Sequence, residues 1–227
     1  MERKDFLRQG GPCFYFDTEL FAPTTDSFAL GWFAAPKRGE RVCDLGSGTG
    51  LLGTLLLARE PSLTLFCVEQ NAAANALAEK GFAENGWAER VTLRTGDLRE
   101  NAALPAAGSM DYALSNPPYF PAGSEARQAA REEVGCTLAD VCAAAARVLR
   151  WGGRFALVHR PERLSDLFCT LCAHGLEPKR LRFVASAAEK APSLALVEAR
   201  RGGKAGLSVE PMLFIGSADW DEVYFRT

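Results

Sequence analysis

The sequence predicts an α/β fold, a doubly wound parallel sheet with helices on both faces, and two observations predict it. From about residue 40 onward, short apolar runs alternate with longer helical patterns, as in successive βαβ units. The first apolar run, residues 41–45, breaks into Gly46-Ser47-Gly48-Thr49-Gly50 ahead of a Leu-rich helix, a strand–loop–helix unit. Composition agrees. Of 227 residues, 48% are hydrophobic and 24% charged, which excludes a disordered chain, a collagen or a coiled coil. The length suits one domain over residues 1–227. Residues 1–39 are then an N-terminal segment packing near the functional site, and residues 205–227 a short C-terminal tail.

Each element has a local cause. Residues 41–45 form a buried strand ended by glycines, and the helix 50–59 stops at Pro61. A second strand, 63–68, precedes an Ala-rich helix, 71–84, closed at Asn85-Gly86. Residues 91–95 make the third strand, and residues 111–115 a fourth that ends at Asn116-Pro117-Pro118. The helix 136–150 leads through Gly152-Gly153 into a fifth strand, 155–159. Pro161 opens a helix at 162–173 that Gly175 ends. The runs 181–185 and 194–200 have no helix between them, so they form an antiparallel hairpin at one edge. Residues 121–133 are the one long polar insertion.

The formal net charge of −2 excludes a uniformly basic surface. Charge is unevenly spread, however, with 12 Lys/Arg against 5 Asp/Glu over residues 147–204. No apolar stretch approaches the ~20 residues needed to cross a bilayer, and the residues after Met1 predict no signal peptide. Seven cysteines, an odd number within apolar segments, suit reduced thiols in the cytoplasm.

Chemistry first shows at the glycine loop. Glycines permit a tight turn and close approach to a ligand, and the next helix offers unbonded N–H groups. Glu69, with Gln70 beside it, follows the second strand about 20 residues later, where a carboxylate can accept from both hydroxyls of a ribose. Asp97, followed by Leu98, comes after the third strand and can accept from an adenine amino group. Together they describe an adenosine-containing ligand across the ends of strands one to three. The spacing is Gly-x-Gly-x-Gly, and Asp44 precedes it. A carboxylate there repels a pyrophosphate and attracts an ammonium group, which favours S-adenosylmethionine over NAD.

The second constellation is Asn116-Pro117-Pro118-Tyr119. In a sheet ordered 3-2-1-4-5, strands one and four are neighbours at the switch point where ligands bind. A planar exocyclic amine is a poor nucleophile. The Asn116 side-chain oxygen and the Pro117 carbonyl can accept its two N–H groups and aim its lone pair at a methyl donor, while Tyr119 stacks on the acceptor. Such catalysis is orientation and electrostatics.

These residues carry a resemblance. The stretch from Asp44 to Gly50, Glu69, Asp97 and the stretch from Asn116 to Tyr119 resemble the motifs of class I S-adenosylmethionine-dependent amino-methyltransferases. Thr24-Thr25-Asp26-Ser27, Leu51-Leu52, Asn116-Pro-Pro-Tyr-Phe120, the run 190–198 and Gly202-Gly203-Lys204-x-Gly206-Leu207 are similar to the bacterial tRNA1(Val) adenine-37 N6-methyltransferases. Where that family often reads Ala-Arg-His-Glu, this chain has Ala130-Arg131-Glu132-Glu133. The resemblance implies a Rossmann-like seven-stranded sheet in the order 3-2-1-4-5-7-6 with the last strand antiparallel. It implies that Gly46, Gly48, Glu69, Asp97 and Asn116 hold cofactor or target, and Asp44, Ser47, Gly50, Gln70 and Leu98 are expected to join them on the cofactor. A monomer acting on RNA, with tRNA as the acceptor class, and without a metal is expected.

Substrate contacts are expected from Thr25, Asp26, Phe120, Arg127 and Arg131 near the crevice, and from a basic band of Arg180, Arg182, Lys190, Arg200, Arg201 and Lys204. Thr25 or Asp26 also suits the N-cap of a helix over 28–33. Cys169 and Cys172 share an apolar helical face with Leu164, Leu167, Phe168 and Leu171, so core packing accounts for them. His159 is expected to be partly buried, and Trp87, Trp151 and Trp220 to pack. Rival readings are a protein glutamine N-methyltransferase, a small-molecule methyltransferase and a non-catalytic cofactor-binding module of an RNA-processing complex. About 40 residues precede the glycine loop, little for the helical substrate domain of the first rival.

Overall fold

Alternating apolar strands and Leu- or Ala-rich helices wind into one sheet in the computed structural model, which describes residues 1–19, 22–117 and 136–225. In chain order the elements are β1 (Glu2–Phe6), β2 (Cys13–Asp17), α1 (Thr25–Phe33), β3 (Arg41–Leu45), α2 (Leu51–Arg59), β4 (Thr64–Glu69), α3 (Ala72–Glu84), β5 (Val91–Thr95) and β6 (Met110–Ser115). There follow α4 (Leu138–Val148), β7 (Leu149–His159), α5 (Leu164–Ala173), β8 (Leu176–Ala185), β9 (Leu194–Arg201), β10 (Ser208–Val209), β11 (Leu213–Phe214) and α6 (Ala218–Val223).

The large sheet runs β5-β4-β3-β6-β7-β9-β8-β10, and β11 also pairs with β8. Counting long strands from β3, this is 3-2-1-4-5-7-6. The strands β5 to β7 are mutually parallel, and β9 is antiparallel to both β7 and β8. The sequence of the central strands explains their place: β3 is buried from Val42 to Leu45 and β6 from Tyr112 to Ser115, since helices cover both faces. Val42, Tyr112 and Leu114 pack with α1, α2 and α6, whereas Cys43, Ala113 and Leu157 pack with α4 and α5. The α2 helix is buried at every position from Leu51 to Leu57 because it is wedged between sheet and neighbouring helices.

Four expectations change. The helix expected over 136–150 ends at Val148, and Leu149 already pairs with Met110 in an 11-residue β7. Between that pair and Tyr112↔Arg154 the ladder skips, so residues 150–153 bulge outward, with Gly152 at φ +76°. The N-terminal segment carries a hairpin, β1–β2, which a charged Glu2-Arg3-Lys4-Asp5 strand concealed. It is held on α3 by the Lys4–Glu84 and Lys80–Glu2 ion pairs and by the Tyr15 hydroxyl donating to Glu84 at 2.5 Å. The C-terminal segment is built into the fold: β10 and β11 lengthen the sheet edge, and α6 buries Trp220 and Val223 against α1. Seven expected strands thus become a sheet of nine. Finally, Thr24 rather than Thr25 or Asp26 caps α1, accepting from the Ser27 N–H; Thr25 is the first helical residue.

Candidate active site

The glycine loop leaves β3 and folds over the end of β4. Gly46 and Ser47 both donate their N–H to the Val68 carbonyl, at 2.9 and 3.0 Å. Gly46, Gly48 and Gly50 all have positive φ, a conformation that side chains resist. At Gly50 a Cβ would also stand 2.9 Å from Ala78 and Phe82, so α2 can meet α3 only through glycine.

Two carboxylates lie beneath this loop. Glu69, buried at the end of β4, accepts from the Gly48 N–H and from the Asn71 N–H, each at 2.9 Å. It therefore sets the loop and the start of α3 together. Asp44 is fully buried, and neither carboxylate oxygen has a hydrogen-bond partner; the Ser47 hydroxyl is buried and unpartnered as well. Burial, reinforced by the nearby Glu69 charge, pushes the Asp44 carboxyl up to about 8; the Gly53 N–H at the head of α2, which makes no hydrogen bond to it, offsets this only in part. Buried polar groups are nearly always paired, so this orphaned acid beside an unpartnered hydroxyl fits a ligand that is cationic or donates hydrogen bonds. Gln70 is exposed next to Glu69.

Asp97 sits in the turn after β5, and Leu98 packs beneath it on the α4–α5 core. The Asp97 carboxylate is chelated by Arg99, whose Nε lies 3.0 Å from each oxygen and whose backbone N–H donates at 2.9 Å. The Arg99 hydrogen bonds hold the Asp97 carboxyl pKa below the ordinary carboxylate value. Sequence reasoning missed Arg99, although a cation two residues from an acid in a turn was the available signal.

At the switch point, Ser115 donates its hydroxyl to the Leu45 carbonyl at 2.7 Å, tying the end of β6 to the end of β3. Asn116 then donates Nδ2 to Ser27 Oγ at 2.9 Å, which sets the plane of its amide. Pro117 is buried behind it. The first turn of α1, with Thr25 and Asp26, is thereby brought beside Asn116, and Ser27, not either of those two, makes the bond. Tyr119, Phe120, Arg127 and Arg131 lie outside the described residues.

The basic band does not form as one surface. Register places Arg200 opposite Arg154, and Arg154 opposite Tyr112, four residues below Asn116 on β6. At about 3.3 Å per residue, Arg200 lies roughly 13 Å down the sheet from the crevice. Arg201 and Lys204 continue away from it, and Arg200 and Arg201 bond to the Gly152 and Leu149 carbonyls. Arg180 and Arg182 are half-buried and already paired, the first with Glu198 and Glu210 and the second with Asp219 and the face of Trp32. Lys190, on the β8–β9 turn, is exposed at the crevice end of the sheet.

Other expectations sort by burial. Cys169 and Cys172 are exposed, because the α5 face against the core is Leu167 and Leu171. Trp220 is buried, Trp87 packs on the core edge, and Trp151 stands 75% exposed on the β7 bulge. His159 is buried at the end of β7, where its Nδ1 accepts from the Arg160 N–H at 2.9 Å and burial lowers its basicity. Among the described residues, no helix is long and apolar enough to cross a membrane.

Comparison with known proteins adds an independent line. Residues 28–166 match the family model described as methyltransferase small domain. The tRNA1(Val) (adenine(37)-N6)-methyltransferase of Aeromonas hydrophila is 32% identical over 183 residues, covering 78% of this chain and 76% of that protein. The enzyme of the same name from Tolumonas auensis is 32% identical over 76% of this chain and 73% of its own. In structure, a predicted O-methyltransferase from Agrobacterium tumefaciens superposes with a TM-score of 0.75 at 19% identity, covering 89% of this chain and 97% of that one. TrmN from Thermus thermophilus superposes at 0.60, over 77% of this chain and 48% of its own. With a nucleotide-type loop over an unpaired acid and an asparagine at the switch point, the chain belongs to the methyltransferase small-domain family, as an S-adenosylmethionine-dependent methyltransferase.

Proposed function

We propose that the chain methylates the exocyclic N6 amine of an adenine in tRNA, and adenine 37 of tRNA1(Val) by the names of its relatives. The observation that carries this is Asn116, held by Ser27 at the mouth of the crevice and one strand away from the glycine loop. S-adenosylmethionine supplies a methyl group on a positively charged sulfur, an activated donor. Asp44 would hold the cationic amino-acid end, Glu69 the ribose hydroxyls, and Asp97, with Leu98 beneath, the adenine. The Gly46, Ser47, Gly48 and Gly50 backbone would line the path between them.

On the acceptor side, Asn116 and the Pro117 carbonyl accept the two N–H groups of the amine, and Tyr119 stacks on the base. Hydrogen bonding localises the nitrogen lone pair and orients it, so the chain contributes alignment rather than a strong base. The acceptor must leave its stack to reach this site, which suits a loop nucleotide. The enzyme on this reading works as a monomer in the cytoplasm.

The test is incubation of the protein with labelled S-adenosylmethionine and an unmodified tRNA pool. Label in N6-methyladenosine after RNA digestion is the expected result. Label in a protein fraction with none in RNA overturns the reading.

A further inference from the structure

Beside α1, away from the glycine loop, lies a cavity of about 550 Å³ bounded by Phe6, Arg8, Phe14, Phe28, Tyr224 and Phe225. That volume lies within the range of small-ligand pockets. Three separate parts of the chain build it: the β1–β2 hairpin, the first turn of α1 and the turn after α6. Its inner wall is ordered aromatic packing. Phe28 and Tyr224 stack with ring centroids 4.6 Å apart and planes within 19°, and Phe14 meets Phe28 edge-on at 6.4 Å.

The outer wall includes a residue in a backbone conformation that side chains resist. Phe225 sits at φ +55°, the one positive-φ residue other than glycine among those described. Arg59 fixes it there by lying 4.2 Å over its ring and donating to the Glu222 and Val223 carbonyls. Across the cavity, Phe6 remains 47% exposed.

The cavity is coupled to the crevice. Phe28 follows Ser27, the partner of Asn116, and the Tyr224 hydroxyl lies 3.4 Å from Thr25 Oγ1 on the same helical turn. The opening therefore shares the first turn of α1 with the residue that holds Asn116. Aromatic rings with an adjacent arginine are the chemistry that receives an unstacked base, and Arg8 adds a charge for its phosphate.

We propose that this cavity takes a nucleobase flanking the target adenine, so that the N-terminal hairpin and the C-terminal turn select the substrate; the inference rests on the RNA reading above. The test uses an unmodified valine tRNA anticodon stem-loop, and versions with an abasic nucleotide at each position flanking the target adenine. Methylation rates are measured for the wild type and for Phe6→Ala and Arg8→Ala, with cofactor affinity as a control for folding. Loss of one flanking base should lower kcat/KM for the wild type roughly tenfold. The same loss should make little further difference to Phe6→Ala, because the base and the ring act as a pair. Methylation indifferent to every abasic substitution, or a Phe6→Ala defect equal on all substrates, overturns the cavity assignment alone. Failure of the wild type to methylate any intact RNA overturns the RNA reading, and this proposal with it.

Discussion

Asp44 on β3 and Glu198 on β9 are both acids sealed within one sheet, at 0% and 5% exposure. Glu198 accepts from the Tyr112 hydroxyl at 2.6 Å and lies 3.3 Å from Arg180 and 3.9 Å from Arg154. Those arginines are shared onward with Glu210 and Glu40, each at 2.7 Å. Asp44 has no such partner on either oxygen. Equal burial with opposite satisfaction separates two uses of a buried charge. The Glu198 cluster is closed and holds β6, β7, β8 and β9 together; Asp44 is open at the end of β3 where the glycine loop begins. The open acid marks where a ligand completes the structure.

Substitutions at the two ends should therefore have opposite consequences. Glu198→Ala leaves the buried Tyr112 hydroxyl without its acceptor and takes one of two carboxylates from Arg180 and Arg154, which keep Glu210 and Glu40, and should lower unfolding free energy by about 1–3 kcal/mol, read by denaturant melts. Glu198→Gln, which keeps an acceptor for Tyr112, should cost less. Asn116→Ala should do the reverse, cutting methyl transfer on the order of 10²–10³-fold with little change in stability or cofactor affinity. Normal turnover in that variant would remove Asn116 from the acceptor site. Asp44→Asn is the intermediate case. It removes an unpaired buried charge, so the ligand-free protein at pH 8 should gain about 1–3 kcal/mol while affinity for S-adenosylmethionine falls. A variant both less stable and unchanged in affinity would show that Asp44 belongs with Glu198 rather than apart from it.

The sequence made the crevice side readable because its signals are local. A Gly-x-Gly-x-Gly turn, an acid after the second strand and Asn116-Pro117 after the fourth sit at fixed places along one repeating βα pattern. What it hid depends on contacts between distant segments. Ser27 meets Asn116 across 89 residues, and the Tyr224 hydroxyl meets Thr25 across 199. The β1 strand reads as a charged tail because all five residues are exposed; its stability comes from β2 and α3. Arg180, Arg182, Arg200 and Arg201 look like a single basic band in sequence. Alternation along β8 and the antiparallel return of β9 distribute them among half-buried ion pairs and the far end of the sheet. Periodicity shows which face a residue takes, but not which end of a strand it reaches or which carboxylate will meet it.

The smallest expected effect is the most specific to Asp44. Its carboxyl is raised to about 8 in the folded chain, from an ordinary value of 3.8. The native state therefore retains a proton that the unfolded chain releases near pH 4. Stability from this group is greatest below that pH and declines as pH rises toward 8, the opposite of an ion-paired carboxylate. A cationic ligand favours the ionised form, so below pH 8 its binding must expel the proton. Affinity for S-adenosylmethionine should then strengthen between pH 6 and 8, by up to about tenfold per unit, and level off above. Calorimetric titration in buffers of different ionisation enthalpy would count the released proton directly. In Asp44→Asn both the slope and the proton release should vanish. If the wild type binds with flat affinity and releases no proton, the acid carries no cation, and its lack of a partner must have another cause.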